Sequence, residues 1–257
     1  MLLALDVGNT NTVLAVYDGD RIAGEWRIRS ERDRTTDEHG VLAVDLLRLG
    51  GVSPSDITAV AISNVVPTMT DALIGLSTKY FGVEPFLVGP KTDFGIKIHY
   101  DPPTDVGADR LMNTIAAFAK YGAPAVVVDL GTGTTFDAVG ENGDYLGGAI
   151  APGIGIATDA LFQRAARLFR VDFVAPEKSV GTNTVTAIQS GIMYGYAGLV
   201  DAIVNRFKRE IGRNARVIAT GGLAERIQPL SETVEFVDQM LTLDGLRLLW
   251  QRSGGVE

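Results

Sequence analysis

A chain of 257 residues with 46% hydrophobic and 21% charged side chains has the balance of a soluble globular protein, long enough for one or two cored domains. It has no cysteine, so neither a disulfide framework nor a thiolate metal site is available, and His39 and His99 stand too far apart, with no HExxH, for a histidine zinc site. A net charge of −8 argues against a nucleic-acid surface; with no apolar run near the ~20 residues of a membrane helix and no basic leader, the expected setting is the cytoplasm, away from membranes.

The chain opens on LALDV from Leu3, an apolar run ending at Asp6, Val7 and Gly8 and followed by Asn9, Thr10, Asn11 and Thr12. A second run through Val13, Ala15 and Val16 reaches a turn at Asp18, and RIAGEWRIRS follows as a third. Short apolar or alternating runs divided by Gly-rich turns predict three consecutive antiparallel strands. Next come an expected helix over Thr36–Leu49, a buried strand over Ile57–Pro67, helical periodicity from Pro67 through Tyr80, the strand EPFLVG and a helix over Asp105–Tyr121.

The design then repeats. VVDLGTGTTF from Val127 aligns Asp129 with Asp6, Gly131 with Gly8, Thr135 with Thr12 and Ala138 with Ala15. The turn ENGD at Glu141, the run YLGGAIAP and a helix over Ile156–Phe169 complete the second copy of the opening. After an extra helix, Val185–Ile211, the stretch ARVIATGGLAERI from Ala215 repeats the design of ITAVAISNVVP. A short helix after Gly222, the strand TVEFV and a helix over Leu243–Arg252 end the pattern. Each half thus reads βββαβαβ, which predicts α/β layers in two similar facing domains, 1–118 and 119–257.

Turns of small residues between antiparallel strands expose backbone N–H groups, and such groups bind phosphate oxygens. Asn9 to Thr12 add short donors on one side, and Thr132, Thr134 and Thr135 on the other. Neither loop holds Lys or Arg, and there is no GxxxxGK[ST] and no GxGxxG opening a helix. Phosphate charge then falls mainly to metal ions, with Asp6 and Asp129 at the strand ends to hold them or their waters. A lone Asp there is ordinarily a turn carboxylate; two matched loops favour a nucleotide clasped between domains. ATGG at Ala219–Gly222 suits a shelf for adenine or ribose, although packing is a plausible use of the same glycines.

The chain resembles the acetate and sugar kinase/Hsc70/actin superfamily in DVGNTN at Asp6, DLGTGTT at Asp129 and ATGG at Ala219. Within it, the chain resembles the type III pantothenate kinases. The narrower likeness rests on IKIHYDPPTDVGADR (Ile96–Arg110), GGAIAPGI, GTNTVTAIQSG and LTLDGLRLLWQR, and it covers essentially the whole chain. The resemblance implies two duplicated ribonuclease H-like (actin-like ATPase) domains with a cleft between them, and ATP-dependent phosphorylation of pantothenate. It implies ATP contacts from Asp6, Val7, Gly8, Asn9, Thr10, Asn11, Thr12, Val13 and Thr132, and a monovalent-cation ligand in Asp129. Pantothenate contacts fall on Tyr100, Gly107, Ala108, Asp109, Arg110 and Thr184, with Asp109 as proton acceptor. Mg²⁺ with ATP, K⁺ or NH₄⁺, and a homodimer complete the implied set. Phe169 and Gln239 stand where the family commonly shows Pro, outside the phosphate and acceptor motifs.

These roles make physical sense. Pro102 and Pro103 force an extended approach to a helix beginning near Asp105, placing Asp109 and Arg110 in its first turn, where the positive helix end favours anions. Arg110 then suits either the substrate carboxylate or charge on the phosphoryl group. Two rivals share the clasp. An exopolyphosphatase-like phosphohydrolase would call for a basic channel that the net charge of −8 does not suggest. A nucleotide-gated binding or filament protein needs insertions for which 257 residues leave little room.

Overall fold

The computed structural model describes residues 1–165 and 167–255. The three opening strands form as the patterning predicts: β1 (Leu2–Val7), β2 (Asn11–Asp18) and β3 (Arg21–Arg29). β1 lies between antiparallel β2 and parallel β4 (Ala59–Asn64), so it is buried along its length except at Asp6. β3, at the sheet edge, alternates instead. β5 (Phe86–Val88) completes a five-stranded sheet in the order β3-β2-β1-β4-β5.

Helix α1 (Thr36–Leu49) matches its expected bounds because both ends are encoded locally. Thr35 caps it in a reciprocal box with Glu38, and Gly50 follows its last turn. The stretch from Pro67 to Tyr80 is not one helix but three pieces: a 3₁₀ turn (Pro67–Met69), α2 (Thr70–Leu76) and a π turn (Ser77–Phe81) closed by left-handed Gly82. Ala43 and Leu47 of α1 and Leu73 and Leu76 of α2 pack with Leu3, Leu5 and Val16 of the sheet.

The second sheet is built from β6 (Ala125–Leu130), β7 (Gly133–Val139), β8 (Tyr145–Pro152), β9 (Arg216–Thr220) and β10 (Phe236–Val237). Its order, β8-β7-β6-β9-β10, reproduces the first sheet strand for strand, with the same antiparallel and parallel pairings. The internal duplication is therefore one of fold as well as of motif. β6 is buried on both faces. Val126 and Val128 meet Ile192, Val200 and Val204 of α5 (Thr184–Ile211), while Ala125 and Val127 meet Ala116 and Ala117 of α3 (Ala108–Tyr121).

Other boundaries differ from expectation, among them the strand expected over Ile57–Pro67, which is confined to Ala59–Asn64. A 3₁₀ turn (Pro103–Asp105) occupies the expected start of α3. α4 (Ile154–Arg164) stops short of Phe169, because Leu168 packs onto the core and Arg170 folds back to Asp159 at 2.8 Å; Ala166 of that expected helix lies outside the described residues. TVEFV yields strand only at Phe236–Val237. The short α6 (Ala224–Ile227) and the final α7 (Leu241–Arg252) agree with the periodicity.

The chain forms two compact units that interleave along the sequence. One holds residues 1–95, 106–112 and the segment from Thr242 onward; the other holds 96–105 and 113–241. The first turn of α3 and nearly all of α7 thus belong with the first sheet. Tyr17 of β2 donates to Asp244 Oδ1 of α7 at 2.9 Å, and Arg247 pairs with Asp20 at 2.5 Å while lying over the Tyr17 ring.

Candidate active site

In the first unit, the β1–β2 connection is a tight hairpin in which Gly8 N–H donates to the Asn11 carbonyl at 3.0 Å. Ser30, just past β3, locks it: its hydroxyl donates to the Gly8 carbonyl at 2.7 Å and lies 2.9 Å from Thr12 Oγ1, and its N–H reaches the Thr10 carbonyl at 3.0 Å. Asn9, Thr10 and Asn11 are left exposed, whereas Val7 and Thr12 are buried and serve to hold the loop. The loop is thus pre-set, with the side chains of its polar tip exposed.

Asp6 sits at the end of β1 beside Ser63 of β4, its paired residue. Burial first and then the charge of Asp109 push its carboxyl up to about 7, against the opposing pull of Ser63 and Arg27. Part of its surface still meets solvent, so the burial is dense rather than complete. Two carboxylates from distant motifs, Asp6 and Asp109, therefore share one electrostatic site. Asp109 occupies the first turn of α3, where its Oδ1 accepts the Arg110 N–H at 2.9 Å. A methyl on Gly107 would stand 2.5 Å from that oxygen, which explains a glycine before the helix. Ala108 and Asp109 are half-buried, and Arg110 is buried.

In the second unit, Asp129 is the last residue but one of β6, with Gly131 and exposed Thr132 beyond the strand. Gly221, at φ +90°, is pressed onto this strand end: a methyl there would lie 2.6 Å from Asp129 Oδ1 and 2.7 Å from the Leu130 carbonyl carbon. The ATGG glycines thus serve at least one packing role, shaping the surroundings of Asp129. Gly153 does the same from α4, where a side chain would strike the Thr132 carbonyl and lie 2.7 Å from that of Gly131. Thr134, expected as a donor, is fully buried and without a partner, and Thr135 bonds Asp137. Thr132 is the exposed hydroxyl of the three. Tyr100 leans on Tyr145, ring centroids 6.3 Å apart, and exposed Thr184 opens α5 directly after its cap, Asn183.

Four polar residues at the first loop were not singled out by motif. Ser30 holds the loop, Ser63 and Arg27 bear on the Asp6 charge, and Arg32 reaches Asn9 Oδ1 at 3.4 Å. The loop itself lacks a cation, but β3 and the segment after it bring two nearby. The alternation of Arg27 and Arg29 on β3 was the available signal, since register pairs them with Val13 and Asn11. Among the described residues, no group of three or more His, Cys, Asp or Glu is placed to hold a metal.

Two like-ordered sheets, each with a Gly-hydroxyl hairpin ending in Asp, define the actin-like ATPase class of fold. A conserved Baf family protein of Campylobacter jejuni superposes with TM-score 0.63 at 18% identity, covering 99% of this chain and 100% of that one. The activator of 2-hydroxyisocaproyl-CoA dehydratase from Clostridium difficile, solved with bound ADPNP, gives 0.55 at 15% identity over 100% and 98%. A family model described as type III pantothenate kinase matches residues 2–206. The type III pantothenate kinase of Geobacter sulfurreducens is 53% identical over 98% of this chain and 99% of its own length. The chain belongs to the type III pantothenate kinase family.

Proposed function

We propose that the protein transfers the γ-phosphoryl group of ATP to the primary hydroxyl of pantothenate, giving 4′-phosphopantothenate and ADP, the entry step of coenzyme A synthesis. The observation that carries the reading is that Asp6 and Asp109 lie in one unit and bear on each other's charge, so that the phosphate loop and the acceptor motif share it. The acceptor oxygen attacks the γ-phosphorus, its proton passes to the Asp109 carboxylate, and the bond to the β–γ bridging oxygen breaks to release ADP. Such a loose transition state asks mainly for positioning and charge stabilisation. The loop from Asp6 to Val13 binds phosphate through exposed amides, Thr132 adds a contact, and Tyr100, Gly107, Ala108, Arg110 and Thr184 hold pantothenate. Buried Arg110 supplies fixed positive charge beside the base.

The residues fit the expected ions. Mg²⁺ commonly binds through one or two carboxylates plus substrate phosphates, and Asp6 supplies a carboxylate at the first phosphate loop. Asp129, with loop carbonyls packed close by, offers the hard oxygens that K⁺ or NH₄⁺ takes, and such an ion would offset phosphate charge. Coupled measurement of ADP release tests both points. Pantothenate should stimulate it with Mg²⁺ and K⁺ present, and replacing K⁺ by Na⁺ should lower the rate. ADP release indifferent to pantothenate would return the phosphohydrolase reading. Full activity in Na⁺ alone would remove the monovalent site.

The same reading includes a cytoplasmic homodimer. No helix among the described residues is long and apolar enough to cross a membrane. The apolar residues of α5 are mostly absorbed within its own unit, since Ile188, Ile192 and Val200 are buried there and Tyr196, Leu199 and Ile203 pack on the same core. Exposed apolar side chains lie instead on edge strand β8 (Leu146, Ile150) and on α4 (Ile156, Leu161), a surface a second copy would cover. If Thr184 completes the neighbour's site, mixing Asp109→Asn with Thr184→Arg restores part of the activity. No recovery after demonstrated subunit exchange places Thr184 in its own chain's site.

A further inference from the structure

The motif LTLDGLRLL places a glycine inside α7, where it is unfavourable relative to alanine. No left-handed conformation calls for it, because Gly245 is not among the glycines with positive φ. Close approach does. A methyl on Gly245 would collide with the Met112 carbonyl oxygen, 2.5 Å from its carbon and 2.9 Å from its Cα. Met112 lies one turn beyond Asp109 on α3, and residues three apart share a helix face. α7 thus rests, backbone on backbone, against the turn that carries the base.

α7 is itself held on both sides of that contact. Asp244 accepts from buried Tyr17 and Arg247 pairs with Asp20, so two attachments to the β2–β3 hairpin bracket Gly245. The same β2 is hydrogen-bonded to β1, with Val13 opposite Asp6 and Tyr17 opposite Leu2. A closed circuit of packed elements therefore joins the two carboxylates: Asp6 on β1, Tyr17 on β2, Asp244 and Gly245 on α7, Met112 and Asp109 on α3.

We propose that Gly245 is a positioning residue for phosphoryl transfer: by letting α7 abut the first turn of α3, it sets where Asp109 stands relative to Asp6. The proposal rests on Asp109 as the base. Adding one methyl forces the two backbones apart by about 1 Å to reach ordinary van der Waals contact. A misplacement of that size can cost ~10²-fold in rate.

The test measures kcat, KM for both substrates, and thermal melting for Gly245→Ala and for Tyr17→Phe, each in wild-type and Asp109→Asn backgrounds. Gly245→Ala should lower kcat by ~10²-fold with pantothenate KM little changed, and Tyr17→Phe, which removes one hydrogen bond to α7, by about 2–10-fold. In the Asp109→Asn background both losses should shrink to near nothing, because all act on one group. Equal losses in the two backgrounds, or wild-type kcat in a folded Gly245→Ala enzyme, overturn the proposal. Should Gly245→Ala not fold, Tyr17→Phe decides by the same comparison. An Asp109→Asn enzyme that keeps its turnover removes the base assignment first; an impaired one with additive losses removes the positioning role alone.

Discussion

Turnover of the Asp109→Asn enzyme falls about 10²–10⁴-fold, the usual contribution of a positioned base. The amide is nearly the shape of the carboxylate, and Asn Oδ1 can still accept the Arg110 N–H that orients the native group at 2.9 Å. Pantothenate and ATP should therefore bind this variant about as well as the parent, and the loss should fall on kcat. Calorimetric titration of both ligands, beside steady-state rates, separates the two quantities. Rates within a few-fold of wild type dismiss Asp109 as proton acceptor, and a selective rise in pantothenate Kd makes it a binding group instead.

Asp6→Asn should make the metal-free, ligand-free protein more stable at pH 8 while costing ~10²-fold or more in turnover, as loss of one preorganised polar group at the reacting phosphates does. The Asp6 carboxyl rises from 3.8 to about 7, chiefly through burial and then through Asp109. Between those values the folded protein holds more protons than the unfolded chain, so stability falls as pH rises through the window. Above it the full penalty of a buried charge is present. The whole shift corresponds to roughly 4 kcal/mol at 1.36 kcal/mol per unit, and the solvent-facing edge of Asp6 reduces it to ~2 kcal/mol. For a domain of this size that is ~4–8 °C in Tm. Thermal melts in EDTA from pH 4 to 9 measure it: the wild-type curve should fall toward pH 8 and the variant's should run flatter. Parallel curves would show that this carboxyl is not the strained one. Stability surrendered for a charge at the phosphates is a familiar exchange in enzymes.

The duplication was legible because both copies keep strand, Asp, Gly and turn in one order, and α1 because Thr35 and Glu38 mark its start locally. Where tertiary contacts override periodicity the reading overran. α4 ends early because Arg170 turns back to Asp159, and the Pro67 segment breaks at its π turn. The approach of Asp109 to Asp6 could not be read from either motif, since nothing local in DVGNTN or in GADR refers to the other. Ser30 and Arg32 escaped notice for the same reason: they follow β3, and the sheet rather than the sequence brings them to the first loop. Gly221 was noted as part of a ligand shelf; its positive φ and its contact with Asp129 belong to the folded backbone.

That α7 belongs with the first sheet has a consequence for how the molecule is made. A ribosome delivers β1 to α2 early, yet Tyr17 and Asp20 gain their helical partners only when α7, 227 residues further on, emerges. Domains usually mature in order of synthesis. Here the first unit stays unfinished until α7 has been made, with the second sheet synthesised before it. Removal of α7 is then an injury to the first sheet, and a nascent chain stalled before Leu241 exposes the hairpin that α7 covers.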